Sequence, residues 1–164
     1  MVTIRPATTH DVPAIRAVAR RSWRAAHAPL LGGDRGESFF ESEYDRRTIQ
    51  KKVVADRSRF IVAVTMTGVA GFAVVAPVND AADVYGLSWL YVDPDHWRRG
   101  IGTRLLARIK RAVQRQNGRR IRLGVLAGNQ RAIDFYERMG FWRHSTYFDD
   151  RIDARGYIYV TDVP

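Results

Sequence analysis

The sequence contains no cysteine. This absence excludes disulfide bonds, thiolate metal sites and a covalent mechanism at a cysteine side chain. The sequence also lacks any run of 18 apolar residues, and residues 1–6 carry no apolar core like that of a secretory signal. We therefore expect a cytoplasmic protein that has no membrane-spanning segment.

Histidine is scarce and scattered, and its positions are His10, His27, His96 and His144. Their spacing fits no metal-ligand pattern, so we expect no metal site. By contrast, 46% of the 164 residues are hydrophobic and 27% are charged, which is typical of a globular chain. The length predicts a single domain over residues 1–164 that can bury a substantial core.

Positive charge is concentrated in one segment of the chain. The formal net charge is +10, and residues 98–122 hold ten basic side chains and no acidic one. Taking these ten from the 27 basic residues leaves 17, which equals the number of acidic residues. A segment of this kind attracts a polyanion, either a phosphorylated cofactor or a nucleic acid, unless it forms only a solvated face.

An apolar strand, a turn and a glycine-containing loop lead into this basic segment. Asp93 and Pro94 end the strand, and Gly100 and Gly102 allow the backbone to approach a ligand closely. The following helix points its free N–H groups and the positive end of its dipole at the loop, which predicts a phosphate site. The loop has neither the Gly-Lys-Ser/Thr ending of a Walker motif nor the third glycine of a dinucleotide-binding motif.

Two motifs resemble those of the GNAT superfamily of N-acetyltransferases. The first is the strand, the Asp93–Pro94 turn and the glycine loop that opens a helix. The second begins at Asn129, reaches Tyr136 seven residues later and closes with Gly140 and Phe141. Both motifs lie in the order and at the separation usual for that family, within about residues 85–142.

The resemblance implies acetyl-CoA as the acyl-donor substrate, with no metal. Backbone N–H groups of the loop would bind the phosphates, and the pantetheine arm would run between two strands that splay apart. An N–H group at the end of the first of these strands would polarise the thioester carbonyl. The implied cofactor contacts are Leu90, Tyr91, Val92, Trp97, Arg98, Arg99, Gly100, Ile101, Gly102, Thr103, Asn129, Ala132 and Tyr136.

Tyr136 is also the candidate general acid that the resemblance implies. A phenol can give a proton to the departing thiolate, and a spacing of seven residues places Tyr136 on the same helix face as Asn129. The same tyrosine also fits an apolar stripe with Ala132, Ile133 and Met139, so an ordinary place in the core is the alternative.

Two positions depart from the pattern of the family. Trp97 stands where the loop often has Gln or Arg, and Gly86 stands where many members carry a Glu on the central strand. The general base is therefore unassigned, and a chain of water molecules is one alternative. The side chains that could serve are Asp83, Tyr85, Ser88, His27 and Asp149.

The acceptor side is indicated only by the region that shapes the acceptor pocket in GNAT proteins, here Trp23, His27 and residues 29–40. The candidate acceptor contacts are Trp23, His27, Tyr85, Ser88 and Tyr147. Acidic residues at 149 and 150 could bind a cationic amine, although acidic loop residues are usually just solvated.

Hydrophobic periodicity predicts the element order β-α-α-β-β-β-α-β-α-β-β, a three-layer α/β arrangement of a mixed sheet with flanking helices. A single polar helix is expected over residues 37–57, a hairpin turn at Thr67–Gly68, a loop at 77–80 and a strand over 82–92. The resemblance adds that the sheet is mostly antiparallel with a splayed central strand pair.

The main functional hypothesis is an acetyl-CoA-dependent N-acetyltransferase, monomeric or homodimeric, that acts directly on a primary amine of a small molecule or peptide. One alternative is a non-catalytic acyl-CoA-sensing module, which the missing Glu permits. The other is a nucleic-acid- or ribosome-associated protein that uses the basic face at residues 98–122.

Overall fold

The strands of the computed structural model, which describes residues 1–30, 33–78 and 83–164, form one seven-stranded sheet. In chain order they are β1 (Thr3–Pro6), β2 (Arg59–Thr65), β3 (Gly68–Pro77), β4 (Val84–Val92), β5 (Arg120–Leu126), β6 (Trp142–Asp149) and β7 (Ala154–Asp162). Their spatial order is β1-β2-β3-β4-β5-β7-β6, and every neighbouring pair is antiparallel except β4 and β5. The expected mixed, mostly antiparallel sheet is confirmed.

Helices cover both faces of this sheet. They are α1 (Val12–Ala26), α2 (Gly33–Glu43), α3 (Arg46–Val54), α4 (Ile101–Arg115) and α5 (Gln130–Arg138). The apolar sides of α4 and α5 form one core with the sheet, and those of α1, α2 and α3 form a second core on the opposite face. The predicted three-layer arrangement is therefore confirmed.

The prediction of one helix over residues 37–57 is wrong, because two helices occupy that segment. Asp45 has an extended backbone, and its carboxylate accepts a hydrogen bond of 2.7 Å from the Thr48 N–H. A side-chain cap of this kind starts a new helix, so α2 ends at Glu43 and α3 begins at Arg46.

The β2–β3 hairpin turn and the loop before β4 are the two other places where prediction and structure are compared. The hairpin between β2 and β3 turns at Met66 and Thr67, one residue earlier than predicted, and Gly68 follows with a φ of 117° that favours glycine. Residues 79 and 80 of the predicted loop at 77–80, and the predicted strand start at 82, lie outside the described residues, whereas Pro77 is the last residue of β3.

The splayed strand pair lies at the centre of the sheet. The strands β4 and β5 pair in parallel only where residues 84–86 face residues 120–122. Beyond Gly86, β4 continues its pairing with β3, and β5 continues with β7 as far as Leu126. Within the described part of the chain, the two facing backbone edges beyond this point have no strand partner. A ligand placed between them can therefore hydrogen-bond to their N–H and C=O groups.

We predict that Gly118→Ala destabilises the fold by about 1–3 kcal/mol, because a Cβ at Gly118 would overlap Val113 and lie 2.8 Å from the Tyr85 ring. A matched control is Gly86→Ala, where the nearest atom would be Val78 Cγ2 at 3.6 Å, an ordinary contact. Urea denaturation followed by circular dichroism gives both free energies of unfolding. Equal stability of the two variants would contradict the tight packing where β4 and β5 still pair.

Candidate functional site

A cavity of about 770 Å³ opens where β4 and β5 separate. At one end it is lined by the loop after β4 and by the first turn of α4. At the other end, α1, α2 and the segment between β6 and β7 provide the walls. The strand separation therefore connects two chemically different regions of the molecule.

The loop before α4 has the geometry of an anion site. Arg98 and Gly100 both have left-handed backbones, with φ values of 64° and 78°, and Gly100 is the N-cap of α4. Within the helix, the first bond that α4 makes back to this cap runs from the Arg104 N–H to the Gly100 carbonyl, at 3.1 Å. The N–H groups of residues 101–103 thus have no intrahelical partner, and their residues line the cavity.

Trp97 fixes this loop against the end of β4. Its indole Nε1–H donates a hydrogen bond of 2.8 Å to the Val92 carbonyl. The guanidinium carbon of Arg131 lies 3.1 Å from the centroid of the Trp97 ring, a cation–π contact between the loop and α5. Tryptophan therefore positions the loop through its side chain, at the point where the resemblance leads one to expect Gln or Arg.

An ion pair between a buried carboxylate and a half-exposed arginine anchors the start of the loop. The Asp93 side chain is almost fully buried, accepts a hydrogen bond from the Asp95 N–H and pairs with Arg21 of α1. The loop is thus attached to α1 on one side of the sheet and to α5 on the other.

Positive charge dominates this end of the cavity. Arg98, Arg131 and Arg138 line it, and burial together with the charge of Arg98 lowers the pKa of Arg131. An anionic ligand would relieve this repulsion. Arg99, which the resemblance implies as a cofactor contact, is exposed and does not line the cavity.

Most of the basic segment 98–122 lies away from the cavity. Of its ten basic side chains only Arg98 belongs to the lining, and Arg104, Arg111 and Arg115 are exposed on α4. The segment thus carries more charge than one cofactor in this cavity could use.

The strand edges form the middle of the cavity. Leu90, Tyr91 and Val92 of β4 line it, as do residues 123–126 of β5. Ser88 lies at an irregularity in the pairing, since Val74 faces Trp89 while Val75 faces residue 87. Such a bulge breaks the regular pairing and leaves Ser88 exposed on the cavity lining.

The second motif places Asn129 and Tyr136 on the cavity wall. The Asn129 Oδ1 accepts a hydrogen bond of 3.2 Å from the Ala132 N–H, so Asn129 is the N-cap of α5. Asn129, Ala132 and Tyr136 all line the cavity. The predicted cap and the predicted neighbours on one helix face are therefore found together.

Tyr136 both packs in the core and lines the cavity. Its ring packs edge-to-face with Phe135 and Phe141, at centroid distances of 5.2 and 5.4 Å, and only 8% of the residue is exposed. Burial raises the pKa of the Tyr136 phenol well above its usual value. Among the residues that the structure describes, none hydrogen-bonds to this hydroxyl.

Aromatic rings form the acceptor end. Trp23 stacks on His27 at 4.7 Å and on Phe39 at 5.1 Å between centroids. The hydroxyls of Tyr44 and Tyr91 lie 2.6 Å apart, and burial raises the pKa of Tyr91 to about 12. Phe39 lies in the region 29–40 that the resemblance assigns to the acceptor pocket, whereas the sequence holds no functional signal for Tyr44.

Three of the five candidate bases line the cavity, namely Ser88, His27 and Asp149. The other two do not. The Tyr85 hydroxyl is bonded to the side-chain amide of Gln116, 2.9 Å away, and its ring belongs to the core near the paired end of β4. The structure therefore removes Tyr85 from the acceptor contacts that the sequence predicted, and Asp83 lies just before the same strand end.

His27 is neutral at physiological pH. Burial lowers the pKa of its imidazole from 6.5 to about 4, and its buried Nδ1 has no hydrogen-bond partner in the part of the chain that the structure describes. A neutral imidazole can accept a hydrogen bond from an amine but holds a transferred proton weakly.

Tyr147 closes the cavity from the side of β6. Its ring lies over Gly124 of β5 and Gly156 of β7, where a Cβ at Gly124 would come within 3.2 Å of the hydroxyl.

Two other side chains of the acceptor end, Glu43 and Arg151, were not predicted from the sequence. They are 108 positions apart in the sequence, and no local pattern connects them.

Comparison with known proteins finds the model of the acetyltransferase (GNAT) family over residues 15–141. Among curated relatives, spermidine N(1)-acetyltransferase of Thermoplasma acidophilum is 24% identical over 95% of this chain and 98% of its own. The ribosomal protein bS18-alanine N-acetyltransferase of Salmonella typhimurium is 30% identical over 86% of this chain and 81% of its own.

The fold is also found among solved structures. A crystal structure of PaiA N-acetyltransferase from Thermoplasma acidophilum in complex with coenzyme A matches with a TM-score of 0.88 and 22% identity, and the match covers 99% of each chain.

Among the helices of the described residues, none has both the length and the apolar character that a membrane span requires.

We predict that His27 makes the fold less stable as the pH falls from about 6.5 to about 4. In this range the unfolded chain binds a proton that the folded chain does not, so acid favours unfolding, by at most about 3 kcal/mol. His27→Phe keeps an aromatic ring against Trp23 and should remove this part of the pH dependence. The measurement is the free energy of unfolding in urea at several pH values.

The matched control is His144→Phe, since His144 is exposed and lies outside the cavity lining. It should retain the wild-type pH dependence. An equally steep loss of stability in His27→Phe would show that other groups cause it.

Proposed function

The chain belongs to the acetyltransferase (GNAT) family, and we propose that it transfers the acetyl group of acetyl-CoA directly to a primary amine of a small cationic acceptor. The observation that supports this most is the cavity between the separated strands β4 and β5. It has an anion site and arginines at one end, and aromatic rings and carboxylates at the other. One end suits a phosphorylated donor and the other suits a cationic amine.

The donor end supports a specific placement of acetyl-CoA. The free N–H groups of residues 101–103 would bind the pyrophosphate, with Arg98 and Arg131 adding positive charge. The pantetheine arm would lie between the unpaired edges of β4 and β5 and satisfy their backbone groups. An N–H group within residues 90–92 would then stabilise the negative charge that develops on the thioester oxygen.

Three events complete the transfer. The ammonium group of the acceptor first loses one proton. Its nitrogen then attacks the thioester carbon and loses a second proton, and the carbon–sulfur bond breaks to release coenzyme A as a thiol. Because Tyr136 is protonated, buried and on the cavity wall, it is our candidate for giving a proton to the departing sulfur. Ser88, His27 and Asp149 remain the candidate groups for taking the proton of the amine, directly or through water.

The acceptor class is proposed from the acidic end of the cavity and from one relative. Glu43 and Asp149 line that end, and the relative from Thermoplasma acidophilum is named for spermidine. A peptide amine is a second candidate, because the 30% identical relative from Salmonella typhimurium is named for an alanine of ribosomal protein bS18.

Four features predicted from the sequence stay predictions. They are the single domain over residues 1–164, the cytoplasmic location, the monomeric or homodimeric state and a partner for the basic face at residues 98–122. The sensing module without turnover is the alternative that the following experiment separates from the enzyme.

We predict that Tyr136→Phe lowers kcat by about 100-fold or more, because the thiolate then leaves without a positioned acid. The Kd of acetyl-CoA should change less than about twofold, since the aromatic ring and its contacts stay. Release of free thiol from acetyl-CoA, with spermidine or a short alanine-initiated peptide as acceptor, measures the turnover. Calorimetric titration measures the binding.

Tyr85→Phe is the matched control, since it removes a tyrosine hydroxyl outside the cavity and should leave turnover unchanged. Full turnover in Tyr136→Phe would remove Tyr136 from the mechanism. If the unmodified protein binds acetyl-CoA but acetylates no amine, the sensing module is the better account.

A further inference from the structure

We infer that the acceptor end of the cavity contains a binding site for a second positive charge of the acceptor, formed by Glu43, Asp149 and Phe39 and filled by Arg151 in the free protein. This inference rests on the proposed function and makes it more specific. The ligand class is a di- or polycationic amine, which would react at one nitrogen while another ammonium group displaces the Arg151 guanidinium.

Arg151 makes the contacts that such a cation would make. Its Nε and Nη2 donate to the two carboxylate oxygens of Asp149, at 3.1 and 2.9 Å, and its Nη1 donates to Glu43 at 3.4 Å. The guanidinium carbon lies 5.0 Å from the centroid of the Phe39 ring. Two carboxylates beside an aromatic face are a combination that binds ammonium groups.

The charge at this end favours a further cation. Glu43 and Asp149 provide two negative charges, whereas Arg151 provides one positive charge, and the low pKa of His27 keeps its ring neutral. The other lining side chains are neutral tyrosines with raised pKa values, Tyr44, Tyr91, Tyr136 and Tyr147, or apolar and uncharged groups, apart from five that belong to the loop before α4 or to α5. Those five are His96, Arg98, Arg131, Asp134 and Arg138. A negative charge at the acceptor end therefore remains uncompensated by any neighbour in the described lining.

His27 provides an independent sign of a missing ligand. It is 9% exposed and lines the same cavity, and its Nδ1 has no hydrogen-bond partner among the described residues. Trp23 stacks between His27 and Phe39, so the imidazole lies on the same wall as the cation site. A buried polar atom without a partner costs free energy, and the N–H group of a bound amine would satisfy it.

Arg151 is suited to be displaced. Its side chain is 63% exposed, and its bond to Glu43 is the longest of the three hydrogen bonds that it donates to the two carboxylates. The Glu43 carboxylate is itself 35% exposed, and the pair between it and Arg151 contributes little to stability because water competes for both partners. An acceptor that is held at its other end by the reaction site can therefore replace the guanidinium.

The test compares spermidine with butylamine, which carries one amino group and no second charge. Glu43→Gln should lower kcat/KM for spermidine about tenfold or more and change that for butylamine less than about twofold, because only the polyamine uses the carboxylate. Arg151→Ala should lower the KM for spermidine, because the competing guanidinium is gone. Arg155→Ala is the matched control, since it removes an exposed arginine that lies outside the cavity lining.

Calorimetric titration with spermidine in the presence of coenzyme A tests the site without turnover. Weaker binding in Glu43→Gln, even in a protein that acetylates no amine, would support the site while the proposed reaction fails. Two results would overturn the inference. One is an equal decrease of kcat/KM for both amines in Glu43→Gln. The other is a loss of activity toward both amines in Arg151→Ala, which would show that Arg151 only stabilises the fold.

Discussion

The separation of β4 and β5 beyond Gly86 is the constraint on which the site depends. Parallel strands in a sheet normally satisfy each other's backbone groups, and here that pairing stops after three residues on each strand. Each strand is held on its outer side, β4 by β3 and β5 by β7, so both strands remain part of the sheet on either side of the gap. Backbone N–H and C=O groups that face a gap require partners, and an extended amide-containing molecule such as pantetheine would supply them if bound there.

The loop that follows β4 converts this gap into a directed binding site. Trp97 and Arg131 bind the loop to β4 and α5, while the Asp93–Arg21 pair binds it to α1. Phosphate groups bound there would point the acyl group of the donor toward the other end. The order of charges along the cavity, arginines first and carboxylates last, would then give donor and acceptor separate ends of one channel.

The sequence predicted the local geometry of the glycine loop and of the α5 cap because the signals for both are local. A glycine with positive φ, a helix N-terminus and an asparagine cap are each specified within a few residues, and Gly100 and Asn129 lie where those rules place them. The error over residues 37–57 also has a local cause, since Asp45 is a side-chain cap that starts a new helix.

The acceptor half could not be predicted in the same way. The residue type and position of Tyr85 fit an acceptor contact. Only the tertiary structure shows that its hydroxyl is hydrogen-bonded to Gln116 and that it lies outside the cavity lining. Glu43 and Arg151 meet through the tertiary fold alone. Residues that come together across long sequence separations leave no periodic pattern, so the structure was needed to find them.

The measurement that tests this account most directly is a calorimetric titration with acetyl-CoA at physiological salt, with ATP and a short DNA duplex as polyanion controls. The account predicts selective micromolar binding of acetyl-CoA, because the loop and the strand gap recognise both the phosphates and the pantetheine arm. Absence of acetyl-CoA binding, together with salt-sensitive binding of the duplex, would contradict it and make the basic face of residues 98–122 the functional surface.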